Sequence, residues 1–168
     1  SMGWPLSDET NGGSFLYHFD KNLVSIGYVI HLNYTNPYVS PFDEFQQFKT
    51  HPSVKKVLKG GKRISYGARA ITTGGYQSVP KLYFPGGALI GCSAGFLNYP
   101  KIKGTHNAME SGILAAEAII DNYNSNDQAS DLKNYQEKYE NSRIAKELKR
   151  VRNVKPYQAR YGVLLGTL

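Results

Sequence analysis

The chemistry-bearing positions of this 168-residue sequence gather in two glycine-rich places. Gly91-Cys92-Ser93-Ala94-Gly95 is a run of small residues that lets backbone approach another group closely. Gly104-Thr105-His106-Asn107 then opens a stretch with helical character. A strand, a glycine turn and a helix in that order aim unpaired N–H groups and the positive end of a helix dipole at one place, which suits a phosphate or an electron-rich ring edge. An ordinary strand-to-helix turn under a tightly packed helix is the other reading, since Ala108, Gly112, Ala115 and Ala116 suit close packing equally well. Cys92 stands alone in a close-packed turn, where a thiol is usually a small buried hydrophobe rather than a redox group. The helix field disfavours protonation of His106, leaving a neutral donor or a packed ring as its two readings. His18, His31 and His51 lack metal-ligand spacing, so no metal site and no catalytic side chain is expected within the chain.

The elements that must hold these positions read in chain order. Residues 3–11 form a turn-rich lead-in anchored by Trp4-Pro5-Leu6. Gly12-Gly13 opens residues 14–18, and Asp20-Lys21-Asn22 separates them from residues 23–32; both runs are aromatic or β-branched, which predicts an antiparallel pair. Taken alone, the glycine pair marks a strand-start bulge. Ser40, Pro41, Asp43 and Glu44 signal a helix start, with Phe42, Phe45 and Phe48 as a core-facing stripe, and residues 54–59 a second short helix stopped by Gly60-Gly61. Residues 62–71 are expected to return as a strand, in which Tyr66 and Arg69, with Tyr76 and Gln77 beyond it, are candidates to face a cavity. Ala88-Leu89-Ile90-Gly91 reads as a short buried strand. The helix after Gly104 carries Ala115, Ala116, Ile119, Ile120 and Tyr123. Asp131 is a cap for a final helix over residues 132–150, with Leu132, Tyr135, Tyr139, Ala145 and Leu148 as its apolar positions.

Composition narrows the function classes. One cysteine excludes an internal disulfide framework and an all-cysteine metal site within this chain. No apolar run approaches the roughly 20 residues of a membrane-spanning helix. No leader sequence is read, and Ser1-Met2 looks like an addition rather than native sequence. The net charge of +7 is concentrated: residues 141–160 hold seven cations (Arg143, Lys146, Lys149, Arg150, Arg152, Lys155 and Arg160) against one acid, Glu147. No nucleic-acid motif accompanies this segment, so an anionic membrane surface fits it better, with a merely solvated helix face as the alternative.

Pro85-Gly86-Gly87, Leu89 through Phe96, Pro100-Lys101-Ile102-Lys103-Gly104-Thr105-His106 and the helix from Met109 to Glu117 together resemble the electron transfer flavoprotein-ubiquinone oxidoreductase family. Many flavoproteins have Gly-Asp-Ala-Ala where this chain has Gly91-Cys92-Ser93-Ala94; Cys-Ser followed by Lys-Gly-Thr-His is similar to the quinone oxidoreductases. The resemblance runs with interruptions from Gly3 to about Pro156, and implies a middle segment of a longer chain. The implied fold is α/β (α+β): an antiparallel quinone-side sheet, then the returning strand-turn-helix of a Rossmann-like FAD-binding domain, then a C-terminal helix. The corresponding regions are residues 3–81, 82–124 and 125–168.

By the same resemblance, Gly91, Cys92, Ser93, Ala94 and Gly95 lie along the FAD pyrophosphate and ribityl chain. Gly104, Thr105, His106 and Asn107 present a helix start to the flavin ring, and Gly12 and Gly13 contact ubiquinone. The intact parent would take electrons from reduced electron transfer flavoprotein through a 4Fe–4S cluster and FAD to ubiquinone, at the matrix face of the mitochondrial inner membrane or at a bacterial inner membrane. The family's Gly-x-Gly-x-x-Gly element and its cluster cysteines are not in this sequence, so the chain alone is expected to bind FAD weakly and to lack electron-transfer activity. Two alternatives stand beside this: a related FAD-dependent reductase of a lipid or isoprenoid substrate, and a non-catalytic peripheral-membrane module.

Overall fold

A computed structural model describes residues 4–7, 10–125 and 132–166, with side chains as far as residue 161. The fold is a mixture of helices and small antiparallel sheets, in two compact units, residues 1–67 and 68–168. The expected cap at Asp131 and the terminal apolar side chains from Gly162 onward lie outside the described residues.

In the first unit, β1 (Gly12–Phe19) and β2 (Leu23–Ile30) form the predicted hairpin, in register from Gly12 opposite Ile30 to Phe19 opposite Leu23. Asp20 closes the turn by accepting the Lys21 N–H at 2.8 Å on Oδ1. Helix α1 (Pro41–Phe48) starts as its sequence dictates: Ser40 Oγ accepts the Asp43 N–H at 3.3 Å, Pro41 needs no donor there, and two acids meet the dipole's positive end. Phe45 and Phe48 lie against Tyr28 of β2, with ring centroids 6.5 and 5.1 Å away. Phe42 does not join them and is 67% exposed. Three-residue spacing drifts about 60° per step on a helix, so the first of three such residues turns off the packed face. Helix α2 (Pro52–Leu58) buries Val54.

The strand expected over residues 62–71 does not form. The whole stretch is exposed, and no backbone hydrogen bond among the described residues involves it. Its alternating pattern is suited to a sheet, but a strand exists only with a partner ladder, and no described strand supplies one.

In the second unit, β3 (Tyr83–Phe84) and β4 (Gly87–Ala88) pair across a turn at Pro85-Gly86. The strand read over residues 88–91 is therefore cut to its first residue; Ile90 is exposed, and Gly91 already begins a 3-10 turn (Gly91–Ala94). The short apolar run pairs back on its own hairpin, so no longer strand is nucleated.

Helix α3 (Thr105–Asn124) packs on that turn and on α4 (Lys133–Asn141). The final helix expected over residues 132–150 is two, α4 and α5 (Arg143–Arg150), broken at Ser142. Ser142 Oγ donates to the Tyr139 carbonyl at 2.6 Å and accepts the Ala145 N–H at 3.3 Å, ending one helix and starting the next. Tyr135, Tyr139, Ala145 and Leu148 are buried as the pattern required, joined by Leu82, Phe96, Ala115, Ala118 and Ile144 in one core. Phe96 stacks on Tyr139 at 4.9 Å. Helix α6 (Val154–Gly166) follows, and its Lys155 donates to the Thr73 carbonyl at 3.0 Å and to its Oγ1 at 2.7 Å.

Candidate functional site

The two glycines that bracket the 3-10 turn are required by its backbone. Gly91 has φ +55° and Gly95 φ +80°, a region where a Cβ crowds the following carbonyl. A Cβ on Gly91 would also stand 3.1 Å from the Ala108 Cβ, and one on Gly95 3.1 Å from Thr72 Cγ2. The turn thus sits flat against the first turn of α3. Ser111 holds it there: its Oγ accepts the buried Gly91 N–H at 2.9 Å and donates to the Ala108 carbonyl at 2.8 Å. Phe96 N–H closes onto the Gly91 carbonyl at 3.2 Å, and Asn107 Nδ2 donates to the Phe96 carbonyl at 3.0 Å.

The structure therefore brings residues 91–95 and 104–107 together, and divides them into two sets. Gly91, Ala94, Gly95 and Asn107 are buried and support the turn from beneath. Ser93 and Thr105 are exposed, while Cys92, Gly104 and His106 are half-buried at the rim. No side chain caps the start of α3, so its first N–H groups stay directed outward from the helix end. Asn107 Oδ1 is buried with no hydrogen-bond donor among the described residues.

Gly12 and Gly13 belong to the other unit. Gly12 is buried at the head of β1, where a Cβ would meet Leu6 Cδ1 and stand 2.5 Å from the Val29 carbonyl oxygen. Gly13 is half-buried opposite Val29. Both glycines lie in regular pairing, so no bulge separates them from the hairpin.

Three residues of the 91–107 region's surroundings carry roles the motif did not reveal. Ser111 is one. The others are Asn98, fully buried, and Glu147 on α5. Glu147 Oε1 accepts from Asn98 Nδ2 at 2.6 Å, and His106 Nε2 lies 3.2 and 3.0 Å from Oε1 and Oε2. Burial would raise the Glu147 carboxyl, but the hydrogen bonds from Asn98 and His106, with the charges of His106 and Lys101, outweigh it and hold the group below its ordinary value. Of the two readings of His106, the donor is what the geometry provides. The signal for Glu147 was in the sequence: it is the lone acid among seven cations.

Among the described residues, no group of three or more His, Cys, Asp or Glu is placed to hold a metal ion, and no helix is long and apolar enough to cross a membrane.

Comparison with known proteins bears on each unit. Residues 1–71, a stretch that contains the first unit, match the family described as "ETF-QO, ubiquinone-binding". The chain as a whole is similar to electron transfer flavoprotein-ubiquinone oxidoreductases: the mitochondrial protein of Homo sapiens is 55% identical over 163 residues, 93% of this chain and 26% of that protein. That of Caenorhabditis elegans is 53% identical over 162 residues, 93% of this chain and 27% of that protein. The probable counterpart in Schizosaccharomyces pombe is 55% identical over 159 residues. The chain matches a segment of this oxidoreductase family and spans about a quarter of the length of these relatives.

Proposed function

We propose that this chain supplies the quinone-side hairpin and part of the flavin-side turn of an oxidoreductase that passes electrons from reduced electron transfer flavoprotein, through a 4Fe–4S cluster and FAD, to ubiquinone. The observation that carries this reading is the match of residues 1–71 to the ubiquinone-binding family within a chain 55% identical, over 93% of its length, to the human oxidoreductase. Gly12 and Gly13 are the ubiquinone contacts: half-buried Gly13, without a side chain, lets a planar head group lie against backbone, while Gly12, whose side-chain space is taken by Leu6 and the Val29 carbonyl, keeps the start of the strand thin beside it.

FAD is the redox group such a protein holds, and the residues around the 3-10 turn fit one side of it. The uncapped start of α3 and the small rim residues Cys92, Ser93, Gly104 and Thr105 suit a pyrophosphate and a ring edge. The orphaned Asn107 Oδ1 leaves an acceptor beneath that rim. Gly91, Ala94, Gly95 and Asn107 set the shape of the turn from inside, with His106 at its edge. When bound, FAD would link single-electron transfer from the cluster to two-electron reduction of the quinone, and these residues would position it. The 4Fe–4S ligands would come from elsewhere in a longer protein. The regions 3–81, 82–124 and 125–168 then correspond to the quinone side, the returning Rossmann-like flavin element and a membrane-surface segment, at the matrix face of the mitochondrial inner membrane. Exposed Lys146, Lys149 and Arg150 on α5 support adhesion to anionic lipid.

Titration with a short-tailed ubiquinone analogue tests the quinone half. Binding should weaken at least tenfold in Gly13→Val and persist in a distant control such as Lys133→Ala. Equal affinity in the glycine variant removes Gly13 from the quinone site. For the flavin half, the isolated chain should hold FAD only weakly, and tight stoichiometric flavin in the purified chain would contradict a half-cradle.

A further inference from the structure

We propose that Glu147 is a positioning residue for the flavin-side turn: it fixes the hydrogen of the His106 ring on Nε2 and ties α5 to the start of α3. The inference rests on the reading of residues 91–107 as a flavin-side turn for its purpose, but not for its geometry. A carboxylate has only acceptors to offer. Two donors converge on this one, Asn98 Nδ2 at 2.6 Å on Oε1 and His106 Nε2 at 3.0 Å on Oε2. The ring nitrogen facing a carboxylate must therefore carry the hydrogen, which leaves Nδ1 as the nitrogen for any other partner. The depressed Glu147 carboxyl supports this, since a protonated acid would offer a donor instead.

The pair is anchored on both sides. Asn98 is fully buried and belongs to a backbone bridge in which its N–H donates to the Lys103 carbonyl at 2.9 Å. The loop from Asn98 to Lys103 leads directly into Gly104 and the helix start. Glu147 sits between buried Ala145 and Leu148 on α5, so its backbone is held by the core. One carboxylate thus joins three elements: the loop before the helix, the first turn of α3, and α5. A hydrogen set on Nε2 also decides what can bind the neutral ring. Any ligand group that meets Nδ1 has to be a hydrogen-bond donor, such as a hydroxyl or an imide N–H, and a flavin nucleotide carries both.

Substituting Glu147→Gln tests the assignment with little change of shape. Asn98 Nδ2 still needs an acceptor, so the amide oxygen takes the Oε1 place and the amide NH₂ takes the Oε2 place. His106 Nε2 then has the amide NH₂ as its nearer neighbour, in the 3.0 Å place, with the oxygen, already held by Asn98, in the 3.2 Å place, so the ring turns toward the form in which Nε2 accepts. Long-range proton–nitrogen spectra of the imidazole rings, at a pH where His106 is neutral, should show the Nε2–H form in the wild-type chain and the Nδ1–H form in E147Q. Glu147→Asp, too short to reach both donors, should leave a mixture of the two forms. Amide exchange at Asn98, Lys103 and Ala108, whose N–H groups are hydrogen-bonded around this helix start, should quicken at least tenfold in Glu147→Ala. An unchanged Nε2–H form in E147Q overturns the proposal, and so does unchanged exchange in Glu147→Ala. None of these measurements needs flavin, so a failure of FAD to bind would count against the cradle reading alone.

Discussion

At the scale of single residues, the two buried tyrosines of α4 make opposite demands. Tyr135 is fully buried and donates its hydroxyl hydrogen to the Leu89 carbonyl at 3.0 Å. Tyr139 is as deeply placed, but its hydroxyl has no partner among the described residues. Removing a satisfied hydroxyl costs about 1 kcal/mol, whereas removing an unsatisfied buried one recovers its desolvation penalty. Tyr135→Phe should therefore lower the stability of the helical unit by about 1 kcal/mol, and Tyr139→Phe should leave it unchanged or raise it, as urea unfolding followed by circular dichroism will show. The same pair sets an alkaline limit. Burial pushes both phenols from 10.0 up to about 12. Because the folded state holds these protons more tightly than the unfolded state, their stabilisation is complete below pH 10 and is lost as the pH rises to about 12. Absorbance at 295 nm should show a late-titrating phenol population that ionises together with loss of helix, and early ionisation of every tyrosine would contradict it.

At the scale of elements, Ser142 decides where one helix ends and another begins. Its hydroxyl serves a C-terminal carbonyl and an N-terminal N–H at once, so Ser142→Ala removes both bonds. We expect a loss of about 1 kcal/mol, with α4 and α5 still separate because the backbone at Ser142 is extended. Ser142→Asn, which retains capping capacity, should restore most of it. This break illustrates what the sequence made legible. The apolar positions Tyr135, Tyr139, Ala145 and Leu148 announce the buried face, but their period does not announce a one-residue interruption that preserves it. The hairpin and α1 were legible because their signals are local: β-branched runs around Asp20-Lys21-Asn22, and a serine, a proline and two acids in order. The strands expected over residues 62–71 and 88–91 were not, because an alternating or apolar run states a preference that only a neighbouring strand can realise. In the candidate site, the glycines and the helix start were readable as a motif. The supports were not: Ser111 meets Gly91 across 20 residues and Glu147 meets His106 across 41, so although Glu147 stands out as the lone acid among cations, its partner is set only by packing.

At the scale of the whole molecule, the buried core belongs almost entirely to the second unit, and Val54 is the only buried hydrophobic residue described in the first. The passage between the units is open main chain. Brief trypsin treatment should cut first after Lys62, Arg63 and Arg69 and leave a C-terminal piece with its helical signal intact; early cuts within α4 or α5 at a comparable rate would contradict this division. The first unit gains little from burial and carries Phe15, Tyr17 and Phe19 at its surface. Its ordering therefore leans on local hydrogen bonds, which is why its pattern was so readable. The open stretch over residues 62–71 has one further consequence. Ten residues of unpaired N–H and C=O groups are a template that any extended peptide can match, including the same stretch of a neighbouring molecule. Lys62, Arg63 and Arg69 act there as gatekeepers, because stacking identical strands would bring like charges together. Neutralising those three cations should make the chain self-associate as it is concentrated, which light scattering will show.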